Sequence, residues 1–198
     1  MTVGADFGKC RFAARGRLKP APTADSDFFR LSCSLPSIKL PYFTMRYAVI
    51  DTPLGELTVA STGKGLASIH FGSCVPPGGV MDAGSNRVFI RQIEEYFRGA
   101  RTHFDCPLDF DGTPFQIAVW RELLNIPYGQ TRTYGEIAKK LGKPGAARAV
   151  GMANHENRIP IVVPCHRVVG HDGSLTGYAG GLHIKQQLLT IETRTLPL

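Results

Sequence analysis

The chain has 198 residues, which is enough for one or two small domains with a hydrophobic core. It contains no apolar run long enough to span a bilayer, and its first residues lack the apolar segment of a signal peptide, so we expect a cytoplasmic protein. The five cysteines show no CxxC spacing, so we expect no structural zinc site.

The net charge of +7 is spread unevenly along the chain. Residues 113–198 carry ten basic and five acidic side chains, whereas residues 45–112 carry six basic and eight acidic ones. A basic C-terminal half favours a polyanionic partner, with nucleic acid as the leading candidate. The alternative is a solvated basic surface without a specific partner.

Residues 1–44 show no sustained periodicity and mix glycine, proline and serine with scattered basic residues. We predict that they are either disordered or a spurious N-terminal extension from too early a start codon. A genuine basic tail that adds DNA affinity is the alternative.

Regular structure is predicted from Met45 onward. Three short β-rich segments, RYAVID, ELTVA and LASIHF, are separated by the turns TPLG and TGKG, which indicates an antiparallel meander. After the loop CVPPGGVMDAGS, a helix is expected from Asn86 to Arg98, because its apolar residues recur on one face. The segment THFDCPL could add one further strand.

The second half opens with helix signals. Thr113 and Gln116 form a predicted capping box, and Thr133 and Glu136 form another. A third helix is expected over 146–155, and the last two of these helices, joined by GKPG, are typical of a helix-turn-helix. A final helix is predicted over 182–192.

The third helix contains the segment GAARAVG, in which Arg148 is the only bulky side chain. Small residues allow a backbone to approach another surface closely, and tight packing between helices is one interpretation. The other is a shaved surface that fits a DNA groove, with one arginine inserted into it.

The segment IPIVVPCHRVVGH places Cys165 after an apolar run, Ile161–Val163, that we predict to be a buried strand. A cysteine in such a place is either a small core residue or a positioned nucleophile. His166 follows directly and could accept the thiol proton, and Glu192 in the last helix could orient His166.

The motifs PCHRV, TYGEIAKKLGKPGAARAVG and GYAGG resemble those of the O6-alkylguanine-DNA alkyltransferases, most closely the bacterial constitutive form. The resemblance runs from about Met45 to Glu192. It implies an α+β fold, with a small ribonuclease-H-like α/β domain at 45–112 and a mostly helical, catalytic winged helix-turn-helix domain at 113–198.

The resemblance also implies a role for individual residues. Cys165 would accept the alkyl group, with His166 and Glu192 as its proton relay through a water molecule. Tyr134 would hydrogen-bond a ring nitrogen of the flipped guanine, and Arg148 would fill the hole left in the duplex. The other implied DNA contacts are Thr133, Ala146, Ala147 and Gly151, and the implied pocket residues are Asn157, Val168, Tyr178 and Ala179.

The implied activity is direct reversal of DNA damage. A methyl or larger alkyl group would move irreversibly from O6-alkylguanine, and from O4-alkylthymine, to the cysteine, once per molecule. The expected partner is double-stranded DNA, bound through its minor groove by a monomer without a cofactor, a metal ion or a membrane. Two rival classes are a non-catalytic lesion sensor or DNA-binding regulator, and a cysteine hydrolase.

Overall fold

The computed structural model describes residues 45–194. The predicted extension, residues 1–44, lies outside the described residues. Within 45–194, no helix is both long enough and apolar enough to cross a membrane.

The N-terminal part is built on a four-stranded sheet. Its strands are β1 (Arg46–Thr52), β2 (Gly55–Thr62), β3 (Gly65–Phe71) and β4 (Val80–Met81), in the order β3-β2-β1-β4. The antiparallel meander of β1, β2 and β3 is confirmed. The two-residue strand β4, which lies in a segment predicted to be a loop, pairs parallel to β1 at the sheet edge.

One helix, α1 (Ala83–Phe97), packs on β1 and β2. It begins three residues before the predicted start, because the Asp82 side chain caps it by accepting a hydrogen bond from the Ser85 amide. Its buried face includes Phe89, Ile93 and Tyr96. The predicted strand THFDCPL is wrong, since its only pairing is an isolated bridge between Leu108 and Leu66.

The C-terminal part is mostly helical. It contains α2 (Pro114–Leu123), β5 (Arg132–Thr133), α3 (Tyr134–Lys140), α4 (Ala147–His155), β6 (Val168–Val169) and α5 (Leu182–Arg194). Both predicted capping boxes are present, at Thr113 and Thr133. Gly142, with a φ of 69°, ends α3 and allows the tight turn toward α4.

The predicted strand at Ile161–Val163 is wrong. The run is buried, but it forms consecutive tight turns in which the Val163 amide bonds the Ile159 carbonyl at 2.9 Å. Asn157 holds the turns: its side chain donates to the Val163 carbonyl and accepts from the Ile159 amide. Ile161 has a φ of 73°, a strained conformation for a β-branched residue. The apolar composition of the run predicts a strand, but the hydrogen bonds from the Asn157 side chain hold the backbone in turns instead.

Candidate active site

Cys165 begins a short 3-10 turn, Cys165–Arg167, directly after the clamped apolar turns. Successive side chains of a 3-10 turn point about 120° apart, so Cys165 and His166 do not lie on opposite faces as they would on a strand. The Asn154 side chain of α4 donates to the Cys165 carbonyl at 3.3 Å. The turn that carries the thiol is therefore fixed to the helix-turn-helix.

The Cys165 thiol is nearly inaccessible, with 4% of the residue exposed. Burial raises its pKa from 9.0 to about 11, although Asn157, Lys185 and Tyr178 each act in the opposite direction. The thiol therefore carries its proton at neutral pH, and forming the thiolate requires a proton acceptor nearby.

His166 and Glu192 are in contact. Both side chains are fully buried, and His166 Nε2 lies 2.7 Å from Glu192 Oε1. Burial lowers the pKa of His166, which outweighs the opposing effect of Glu192, so the imidazole is neutral at pH 7. Its Nδ1 atom is buried and has no hydrogen-bond partner among the described residues. This nitrogen is available to receive a proton.

Glu192 is surrounded by donors that the sequence did not identify. Arg167 donates to both carboxylate oxygens at 3.0–3.2 Å, and the Gly129 amide donates to Oε2 at 3.0 Å. The Tyr96 hydroxyl of α1 donates to Oε1 at 2.8 Å. Burial alone would raise the pKa of Glu192, but His166 and Arg167 lower it to about 2. Glu192 is therefore ionised at neutral pH, and its carboxylate is fully buried among charged and polar donors.

The predicted pocket residues lie around the thiol to differing degrees. Asn157 and Tyr178 are buried and interact with the sulfur, and Val168 is buried in β6, where its amide donates to the Cys165 carbonyl. Ala179 is exposed on the glycine-rich loop between β6 and α5. Burial raises the pKa of Tyr178 well above its usual value, so its hydroxyl keeps its proton and can act as a donor.

Lys185 is a second residue that the sequence did not identify. Its ammonium is buried in α5 and donates to the Val168 carbonyl at 2.6 Å and to the Thr176 carbonyl at 2.9 Å. It therefore joins β6 to the glycine-rich loop. Burial lowers the pKa of Lys185, and its charge in turn helps to lower the pKa of Cys165. A lysine at an apolar helix position would have been the only signal in the sequence.

The predicted DNA-binding residues gather at the start of α3 and along α4. Arg148 is exposed, as are Ala149 and Met152, and the inner face of α4 packs against α2 and α3. The remaining predicted residues of this face are Thr133, the N-cap of α3, Ala146, the N-cap of α4, Ala147 and Gly151. Met152, 66% exposed and one helical turn from Arg148, was not predicted as part of it.

Tyr134 lies between this face and the pocket. It opens α3, and its ring would be 3.8 Å from a Cβ atom placed on Gly151. Its hydroxyl approaches the Thr176 carbonyl of the glycine-rich loop at 3.5 Å. That distance is an ordinary van der Waals contact, so Tyr134 packs directly against α4 at Gly151.

Two family models match the chain. One, described as 6-O-methylguanine DNA methyltransferase, ribonuclease-like domain, covers residues 45–110. The other, described as 6-O-methylguanine DNA methyltransferase, DNA binding domain, covers residues 114–194.

Relatives and solved structures agree with these matches. A methylated-DNA--protein-cysteine methyltransferase from Mycobacterium tuberculosis is 47% identical over 157 residues, which cover 77% of this chain and 95% of the relative. One from Methanosarcina acetivorans is 48% identical over 153 residues, covering 75% and 98%. The crystal structure of Mycobacterium tuberculosis OGT in complex with DNA matches with a TM-score of 0.72 at 48% identity, covering 77% of this chain and 95% of that one. The α+β fold and the resemblance identified in the sequence are thereby confirmed, and the chain belongs to the 6-O-methylguanine DNA methyltransferase family.

Proposed function

We propose that the chain repairs DNA by moving an alkyl group from the O6 atom of guanine to the sulfur of Cys165. The observation that carries this proposal is that Cys165 shares one 3-10 turn with a neutral, buried His166, which is bonded to the Glu192 carboxylate. A core cysteine would not require a buried ion cluster next to it, because burying charges is costly.

The thiol must first lose its proton. Its raised pKa disfavours the thiolate, and the Nδ1 atom of His166 is the acceptor we assign, with a water molecule bridging the two residues. Glu192, which stays ionised, stabilises the imidazolium that forms. Deprotonation and alkyl transfer are then coupled, because the thiolate is costly until it reacts.

The transfer is a single displacement. The sulfur forms a bond to the alkyl carbon, the bond between that carbon and O6 breaks, and the electron pair leaves with the guanine. Tyr134 is the donor we assign to the leaving base, where negative charge develops. The product is a thioether, which cannot return to a thiol without a further reactant, so one molecule repairs one lesion.

DNA is the partner, and we propose how the protein reaches the damaged base in it. The alkylated oxygen lies inside the base stack, so the base must be flipped out at a cost of a few kcal/mol. The small residues on the exposed face of α4 support docking in the minor groove, with Arg148 filling the hole. We also propose that the chain acts as a monomer, with a cytoplasmic location and activity on O4-alkylthymine.

The two rival classes are less well supported. A lesion sensor does not need an acceptor cysteine, and Cys165 is present beside a proton acceptor. A cysteine hydrolase would need donors arranged as an oxyanion hole and would leave the helix-turn-helix without a role.

The experiment that separates these classes is intact-mass spectrometry after incubation with O6-benzylguanine. We expect a permanent benzyl adduct, one per molecule, on the wild-type chain and on Cys106→Ala, because Cys106 is the other described free cysteine. Cys165→Ala should gain no adduct and should still bind duplex DNA. An adduct on Cys165→Ala, or repeated turnover by the wild type, would contradict the proposal.

A further inference from the structure

The N-terminal part of the chain contributes one hydrogen bond to the candidate active site. Tyr96 lies in α1, is fully buried, and donates its hydroxyl to Glu192 Oε1 at 2.8 Å. The same oxygen lies 2.7 Å from His166 Nε2. Tyr96 and His166 therefore share one carboxylate oxygen as their hydrogen-bond acceptor, although they come from different parts of the chain.

The surroundings of this oxygen are otherwise fixed. Arg167 is held by the Ile126 carbonyl at 2.6 Å, and its guanidinium lies 5.6 Å from the centre of the Tyr128 ring. The Tyr128 ring in turn packs edge-on against Tyr96. Arg167 acts on both members of the pair, Lys185 acts on His166, and Glu192 in turn acts on Tyr178. All of these groups belong to the C-terminal part, whereas Tyr96 is supplied by the N-terminal part.

We propose that Tyr96 is a positioning residue through which the N-terminal part sets the proton affinity of the His166–Glu192 pair, and with it the pH dependence of alkyl transfer. This inference rests on the proposed function. It assigns to the ribonuclease-like part an effect on the chemistry of the site in addition to its packing.

The direction of the effect follows from hydrogen bonding. A donor to a carboxylate withdraws charge from it and lowers its basicity. Without the Tyr96 hydroxyl, the Glu192 carboxylate keeps more of its negative charge and stabilises the imidazolium form of His166 more strongly. His166 Nδ1 therefore keeps its proton to a higher pH. Because His166 must be neutral to accept the thiol proton, the pH at which activity falls on the acid side should rise.

The test is the single-turnover rate of Cys165 alkylation by O6-benzylguanine, measured across the acid and neutral range. Tyr96→Phe keeps the ring and removes the hydroxyl. We expect its acid limb to move upward by about one pH unit, since one hydrogen bond to a charged group corresponds to roughly one unit of pKa. Tyr47→Phe, which changes another buried tyrosine of the same part, should keep the wild-type limb.

A second replacement gives a shift of the opposite sign. Replacing Tyr96 by 3-fluorotyrosine makes the phenol more acidic and the donor stronger, so the acid limb should move downward. A role limited to packing would lower the rate equally at every pH or leave it unchanged. An unmoved limb in both Tyr96 variants, with the wild type alkylated normally, would overturn the inference. Absence of any adduct on the wild type would instead overturn the proposed function.

Discussion

Replacing Glu192 by glutamine tests how strongly the buried ion cluster stabilises the fold. The carboxylate accepts hydrogen bonds from Tyr96, Gly129, His166 and Arg167. A glutamine has nearly the same shape, but it turns one oxygen into an N–H donor that faces other donors. It also leaves the buried Arg167 charge without its carboxylate, so we expect a loss of about 3 to 5 kcal/mol at neutral pH.

Part of that loss depends on pH. The pKa of Glu192 is 4.5 in an unfolded reference and about 2 in the folded chain, where the bonds from His166 and Arg167 outweigh the effect of burial. At about 1.4 kcal/mol per unit, ionisation of Glu192 contributes about 3 kcal/mol at pH 7. Because the folded pKa is the lower one, this contribution is complete above about pH 4.5 and disappears as the pH falls toward 2.

The assay is urea denaturation of the wild type and of Glu192→Gln at pH 7 and at pH 3. More than half of this contribution is lost by pH 3, so the gap between the two free energies of unfolding should narrow by roughly 2 kcal/mol. The other carboxyl groups titrate in both proteins, so their contributions cancel in the difference between the two free energies of unfolding. Glu156→Gln, at an exposed position after α4, serves as the control and should open no gap. Two results would refute the reasoning. One is a difference in unfolding free energy that does not change with pH, and the other is a difference as small as that of the Glu156→Gln control, below about 1 kcal/mol.

Four further predictions follow from the DNA-binding face, the loop and the domain boundary. Arg148→Ala should slow transfer from duplex DNA far more than from free O6-benzylguanine, since a free base needs no flipping. Equal losses in the two rates would mean that Arg148 supports the fold and does not fill the gap in the duplex. Met152→Ala should weaken duplex affinity in a filter-binding titration, because apolar side chains pack against the minor groove, whereas Met81→Ala, at an equally exposed methionine of β4, should leave it unchanged. Lys185→Met should speed hydrogen exchange in the glycine-rich loop and destabilise the chain by roughly 1 to 3 kcal/mol, because two carbonyls lose their donor; wild-type exchange there would contradict its role. A chain that starts at Met45 should transfer the alkyl group at the full rate with unchanged salt dependence, and a loss of affinity confined to low salt would instead identify a basic tail.

The elements with local signals could be predicted from the sequence. The meander from 46 to 71 follows from alternation and turn residues, and α2 and α3 follow from two capping boxes. In each case the residues that determine the structure are neighbours in the chain, so a short window contains the whole cause. The third helix, α4, begins one residue after its predicted start and ends where it was predicted to end.

The contacts between distant residues could not be predicted in this way. The turns at Ile161–Val163 depend on the Asn157 side chain, which clamps a run whose composition favours a strand. The His166–Glu192 contact was a hypothesis from the residue types, but the donation from Tyr96 crosses 96 positions and has no local signature. In the sequence, Tyr96 is one of several aromatic and aliphatic residues on the same helix face, and nothing there indicates a role for its hydroxyl.

The burial of Cys165 also affects the lifetime of the unreacted protein. A pKa raised from 9.0 to about 11 reduces the thiolate at neutral pH by about a hundredfold, and 4% exposure limits contact with dissolved reagents. Oxidants and simple electrophiles react mainly with accessible thiolates. A protein whose acceptor works once would be inactivated by any such side reaction. The same burial that makes deprotonation costly therefore protects the unused molecule until a damaged base occupies the pocket.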